Sequence, residues 1–362
     1  MKRITVLLWA LLLCMPLFAC AEQAYRVAMI TDYADITDQS FNQTCYEACK
    51  AFCSANGIDF TYYKPNGDAT AERIAMVEKA DDEGYNVIVL PGFAFAETIV
   101  EVQDEYPDTI FIASDVSEAD LGSAAIGPNV YCASYREELC GYMAGYAAVK
   151  LGYTHLGYLG GMAVPGVVRY GYGFVQGADA AAEELEIEAV VEYVYGNQFY
   201  GDADITAYMD NWYQNLGVQA VFACGGGIYT SVAEACTKVP GAKIIGVDVD
   251  QAASIDGVYG EGLTLTSAMK GLTAVVNTLL GEVIAGRFDR YGGRAEALGL
   301  VSENPEDNYV GIAPSTQWGE GFTEDDYRTL VRRMLAGEIV VSDNIDAMPA
   351  TTITVNDRGS IK

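Results

Sequence analysis

AMITDYADITDQSFNQTCYEACKAF, residues Ala28 to Phe52, starts as an apolar run and ends as an amphipathic helix, with an acidic and aromatic loop between them. A short apolar strand, a loop and a helix form the first half of a βαβ unit. In open α/β sheets the loop after such a strand lies on the ligand-facing edge. The loop carries Asp32, Asp35 and Asp38, so metal binding, acid/base chemistry and ligand capture are all open at this point.

The same alternation continues along most of the chain. Strands are predicted at Arg26–Thr31, Asp59–Tyr63, Val87–Leu90, Thr109–Ala113, His155–Leu159, Glu188–Tyr195, Ala220–Ala223 and Lys243–Val247. Helices are predicted at Phe41–Ala55, Ala69–Asp82, Ala94–Glu105, Tyr135–Lys150, Val167–Glu184, Ala203–Asn215 and Thr230–Lys238. Continuous apolar runs alternating with 3.6-period stretches argue for buried parallel sheets. Right-handed crossovers then make those sheets doubly wound. The strands fall into two sets, one from Arg26 to about Ser114 and one from His155 to about Val247. Between them GSAAIGPNVYCASY (Gly122–Tyr135) reads as the segment where the chain leaves one lobe. A β-like run at Leu263–Ser267 and a helix at Met269–Ile284 are expected to return to the first lobe. TEDDYRTLVRRMLAGEIVV (Thr323–Val341) reads as a helix with an acidic start, which the helix dipole favours, followed by a strand.

The 362 residues allow two lobes, and 51% hydrophobic content gives ample core. A formal charge of −29 is the reverse of the basic footprint that nucleic-acid binding needs. It also disfavours an anionic ligand unless the site holds local cations. Residues 1–21 read as an export signal: Lys2 and Arg3, then an apolar Ile4–Leu13 too short to span a bilayer. LFAC at Leu17–Cys20 fits lipoprotein processing with Cys20 acylated, while ACA at Ala19–Ala21 fits ordinary cleavage before Glu22. The protein is therefore expected outside the cytoplasm, touching a membrane only through a lipid anchor at Cys20.

Seven cysteines follow the signal, and Cys45, Cys49 and Cys53 share one face of the first helix. A metal site would want paired cysteines with histidine partners, and the only histidine is His155. Small buried residues packing a helix face is the simpler reading. Asp32, Asp35 and Asp38 stand three apart with no central glycine, unlike a calcium loop. Asp38 and Ser40 are placed to cap the next helix. Phe41 could stack on a flat ring or staple its helix. Asn42 offers both a donor and an acceptor. CGGGIYTS (Cys224–Ser231) lacks the lysine of a phosphate loop and is expected to allow close backbone approach at the cleft.

TDYADITDQSFNQTCYEA (Thr31–Ala48) resembles the opening of the basic membrane protein family, purine nucleoside receptors of bacterial ABC transporters. The likeness continues in order through FIASDV (Phe111–Val116), IGPNVY, ELCGYMAGYAA, LGYLGGMAVPGVVRYGYGFVQG, VYGNQFYGDAD, IIGVDVDQ (Ile244–Gln251) and TLTSAMKG (Thr264–Gly271). It covers roughly residues 25 to 342. The resemblance implies the type I periplasmic-binding-protein fold, with two doubly wound parallel-sheet lobes joined by three crossings. Residues 25–127 with 252–290 are assigned to lobe 1, 128–251 with 291–345 to lobe 2, and 346–362 to a C-terminal tail.

The resemblance also implies roles. Phe41 and Phe199 stack on the base, with Tyr195 or Tyr200 as alternatives to Phe199. Asn42 and Asp115 hydrogen-bond the base, Asp248 and Lys270 hold the ribose, and Asp32 lines the mouth. No cofactor or catalysis is implied: a nucleoside is captured between lobes and handed to permease subunits. The family's glycine pair is replaced by Ala34 and Asp35 and its lysine by Gln39, which bears on ligand identity rather than fold. Two alternatives stay open: a metal-dependent nucleoside hydrolase using the aspartate loop, and a sensor ectodomain.

Overall fold

A computed structural model of the chain describes residues 25–32 and 34–362. The export signal and Cys20 lie outside the described residues. Two sheets organise the rest, each covered on both faces by helices.

The first sheet is built on β1 (Arg26–Ile30), β2 (Asp59–Tyr63), β3 (Val87–Pro91), β4 (Ile110–Ser114), β5 (Val130–Tyr135) and β11 (Arg294–Leu298), in the order β11-β5-β4-β3-β1-β2. All its pairings are parallel. The second contains β6 (His155–Gly160), β7 (Val190–Tyr195), β8 (Ala220–Cys224), β9 (Lys243–Asp248), β10 (Thr264–Lys270), β12 (Val310–Ile312) and β13 (Thr354–Ser360), in the order β12-β10-β9-β8-β6-β7-β13. Only β12 runs antiparallel to its neighbour. Inner strands such as β3 and β8 are buried at every position, which is why they are unbroken apolar runs.

The chain passes between the lobes three times: at Arg136, between β5 and α4 (Glu137–Lys150); at Gly271, between β10 and α9 (Leu272–Ile284); and through residues 299–309, between β11 and β12. The crossings are bonded together. Arg136 N donates to Leu298 O at 2.9 Å, Gly271 N to Tyr309 O at 2.7 Å, and Tyr309 N to Gly299 O at 3.1 Å.

These placements correct the expected boundaries. The run at Leu263–Ser267 does not return to the first lobe; it becomes β10, registered beside β9. Residues 291–345 do not all join the second lobe, because β11 pairs with β5. The chain returns only with α9, which packs on α1 (Phe41–Asn56). Met269 and Lys270 end β10 rather than opening α9, and Tyr135 ends β5 rather than opening α4. Residues 338–341 form no strand; the tail instead adds β13 to the edge of the second sheet beside β7.

Within the second lobe α4 lies against α5 (Pro165–Leu185) at backbone contact. A Cβ at Gly141 would stand 2.2 Å from Tyr170 O, and one at Gly145 2.1 Å from Phe174 O. From the other side, a Cβ at Gly173 would meet Glu138 O at 2.2 Å and one at Gly177 would meet Tyr142 O at 2.0 Å. Glycine is required at these positions for close approach rather than for backbone freedom.

The seven cysteines among the described residues are buried and form no disulfide with one another. Cys45, Cys49 and Cys53 fill the core-facing side of α1, and burial pushes their thiols up. His155 opens β6 with its Nε2 3.5 Å from Glu192.

Candidate functional site

The carboxyl ends of β1, β4, β8, β9 and β10 face one another across the gap between the lobes. The cavity there is lined by all seven residues singled out in the sequence: Asp32, Phe41, Asn42, Asp115, Phe199, Asp248 and Lys270.

The aspartates of the opening loop take separate jobs. Asp32 accepts from Asn42 Nδ2 at 2.9 Å, and Gly92 makes room for it, since a Cβ there would lie 2.2 Å from its carboxylate. Asp35 turns to the surface and pairs with Lys64. Asp38 accepts the backbone N–H groups of Ser40, Asn42 and Gln43 at 2.9–3.0 Å, satisfying amides at the start of α1. Ser40 is not the side-chain cap expected: its hydroxyl crosses to the other lobe and donates to Asp248 Oδ2 at 2.6 Å. Gln39 reinforces this seam, its carbonyl accepting from Gln251 Nε2 and its side chain from Ser254 Oγ, both at 3.0 Å.

Asp115 and Asp248 occupy matching places, one just past β4 and the other at the end of β9. Both hold left-handed backbone, φ 61° and 65°, a region that Asp tolerates better than most residues. Burial raises both carboxyls, Asp115 to about 6, with Lys270 opposing. Lys270 ends β10 with a side chain only 4% exposed. Its ammonium lies 2.6 Å from Asp115, 3.2 Å from Glu137 and 3.9 Å from Asp248, among the rings of Phe41, Tyr135 and Tyr170 at 5.1–5.4 Å. Burial alone would lower its pKa; the three carboxylates override that and raise it.

Phe199 lines the cavity against glycine. A Cβ at Gly161 would stand 2.5 Å from its ring, and one at Gly225 3.1 Å. This is the close approach expected of CGGGIYTS. Tyr195 instead bonds Tyr193 through its hydroxyl, and Tyr200 is 64% exposed; neither lines the cavity.

Sequence reasoning missed the second layer. Glu137 is fully buried and accepts from Arg169 Nε at 2.6 Å. Burial pushes its carboxyl up, but Arg169 and Lys270 together hold it below the usual range. The one available signal was a pair of glutamates opening an otherwise apolar helix, which dipole stabilisation explains equally well. Tyr170 and Val167, from α5, also line the cavity and were not anticipated.

Glu138, beside the first crossing, is buried with Arg136 at 2.9 Å. Burial pushes its carboxyl up to about 7, Arg136 only partly opposing. Because the folded value lies above the unfolded one, this group's contribution is most favourable below about pH 4.5 and is lost as pH rises through about 7. The rise corresponds to about 3 kcal/mol. Glu138→Gln should therefore raise the melting temperature at pH 8 and change it little at pH 5. Melts at both pH values check this, and a variant no more stable than wild type at pH 8 would contradict it.

Comparison with known proteins places the chain in a family. The family described as "ABC transporter substrate-binding protein PnrA-like" matches residues 25–316. The chain is 25% identical over 280 residues to the ABC transporter nucleoside-binding protein BmpA of Lactococcus lactis, covering 73% of this chain and 76% of that one. It is 23% identical over 339 residues to basic membrane protein B of Borreliella burgdorferi, covering 90% and 89%. The solved ABC transporter solute-binding protein from Conexibacter woesei superposes with a TM-score of 0.66 at 22% identity, covering 88% of this chain and 99% of that one. The structural likeness identifies the architecture as the type I periplasmic-binding-protein fold. With most of its length matched, the chain belongs to the PnrA-like family of ABC transporter substrate-binding proteins.

Proposed function

We propose that this substrate-binding protein captures a nucleoside, with a purine base, in the cavity between its lobes and delivers it to the permease of an ABC importer. One observation carries the reading: residues as distant in sequence as Phe41 and Lys270 converge on a single inter-lobe cavity whose chemistry suits a flat base joined to a sugar. Phe41 and Phe199 supply ring faces. Asn42 Oδ1 and Asp115 Oδ1 are buried with no hydrogen-bond partner among the described residues. Buried polar atoms are paired in the great majority of cases, so two unpaired acceptors favour a ligand bearing donors, such as the ring N–H and amino groups of a base. Asp248 and Lys270, 3.9 Å apart, suit vicinal hydroxyls: the carboxylate accepts and the ammonium donates. The protein works outside the cytoplasm, free or anchored at Cys20. No helix among the described residues is long and apolar enough to cross a membrane.

The hydrolase alternative needs the opening aspartates to act together. Asp35 is at the surface on Lys64 and Asp38 serves backbone amides, an arrangement that favours ligand capture over that chemistry.

Calorimetry against nucleosides, free bases and free sugars is the direct test. Purine nucleosides should bind stoichiometrically and free pentoses should not. A chain that ignores every nucleoside, or binds a sugar as tightly, would overturn the proposal, and release of hypoxanthine from inosine with calcium would turn it toward hydrolysis. Phe41→Ala should weaken both nucleoside and base about tenfold, since stacking contributes ~0.5–1.5 kcal/mol beyond area burial. Unchanged affinity would make Phe41 a helix staple only.

A further inference from the structure

We propose that Glu137, itself held by Arg169, is the positioning residue that fixes the Lys270 ammonium for the pentose of the ligand. This rests on the nucleoside reading and adds two residues to it, neither of which lines the cavity.

A lysine ammonium sits on a flexible four-carbon stem and has three donors to place. Asp115 Oδ2 takes one at 2.6 Å. Glu137 Oε1 stands 3.2 Å from the ammonium as an ion-pair partner, without hydrogen-bond geometry. Asp248 Oδ1, at 3.9 Å, is beyond hydrogen-bond reach, which leaves room for a ligand oxygen to bridge the two. The ammonium is useful there only if it is held in place before the ligand arrives.

Asp115 cannot do that alone. It stands past β4 in the first lobe, whereas Lys270 ends β10 in the second, so their bond spans the cleft and parts when the lobes part. Glu137 is placed differently. It is the first residue of α4 after the first crossing, Lys270 is the last of β10 before the second, and α4 packs directly on β10. That pair stays within one lobe through an opening motion.

Arg169 completes the arrangement. Its Nε on Glu137 Oε2 leaves Oε1 directed at Lys270. It also supplies a second cation to a buried group of three carboxylates, Asp115, Glu137 and Asp248. A buried charge left without its partner is strongly unfavourable, so the balance among these five groups resists drift of any member.

The test separates positioning from support of the fold. Inosine and hypoxanthine are titrated calorimetrically into wild type, Glu137→Gln and Glu137→Asp, with a thermal melt of each. If Glu137 acts through Lys270, only the sugar end suffers. Glu137→Gln should lose inosine affinity by tenfold or more and Glu137→Asp by several-fold, with hypoxanthine within about twofold of wild type. Parallel losses for both ligands, or no loss for inosine, would overturn the proposal. Where Glu137→Gln does not fold, the same split in Glu137→Asp and in Arg169→Lys decides. Wild type that binds neither compound, nor any other purine nucleoside, defeats the nucleoside reading itself and this inference with it, a result visible before any variant is made.

Discussion

Asp248→Ala should weaken nucleoside binding roughly a hundredfold or more, and free-base binding far less. Hydrogen bonds to charged groups contribute roughly 1.5–3 kcal/mol each, and in the proposed role this carboxylate accepts two from the sugar. The substitution has two side effects. It removes the acceptor of the Ser40 hydroxyl across the cleft, and it places alanine at φ 65°, where a residue other than Gly, Asn or Asp is strained. Asp248→Asn separates these from the charge, because asparagine tolerates that backbone and can still accept from Ser40. Calorimetry with nucleoside and matching base on both variants settles the point. Equal losses for the two ligands would remove Asp248 from the ribose.

The largest effect on stability is expected at the α4–α5 contact. Gly145→Ala puts a methyl group 2.1 Å from the carbonyl oxygen of Phe174. The obstacle is backbone, so no side chain can swing aside and the helices must separate. Overpacking of this kind costs roughly 1–3 kcal/mol and occasionally more; backbone contact places it at the upper end. A fall in melting temperature of roughly 5–10 °C follows at the usual few degrees per kcal/mol. Gly281→Ala in α9 is the control, since a Cβ there meets nothing within 4 Å. By helix propensity it should gain up to about 1 kcal/mol. Equal melts for the two variants would mean the glycine contact is not tight in solution.

Most inner strands were legible because burial on both faces leaves a continuous apolar signature, as in β3 and β8; β5, buried at every position, was read only as part of the segment leaving the first lobe. Edge strands carry no such signature. β11 has no buried position and β13 is mostly exposed, and neither was anticipated. The apolar residues at 339–341 had the right composition, but the edges of the second sheet are β12 and β13. Which lobe β10 joins was not legible either, because pairing with β9 is a relation between distant segments. The site divides similarly. The seven lining residues were found through ordered motifs, Phe199 with Tyr195 and Tyr200 as alternatives. The glycines that receive the Phe199 ring explain which of the three lines the cavity. Glu137 and Arg169 escaped notice because a buried glutamate at a helix start looks the same in sequence whether it holds a lysine or only faces a dipole.

The glycine-welded pair α4–α5 has a mechanical consequence. α4 starts at the first crossing, so any twist delivered there enters a stiff lever rather than a soft helix. Compliance is left to the few linking peptides, where Gly271 packs against Tyr309 and Gly299 against the side chain of Arg136. Any opening of the cleft would thus act as a torsion of a short bonded ribbon.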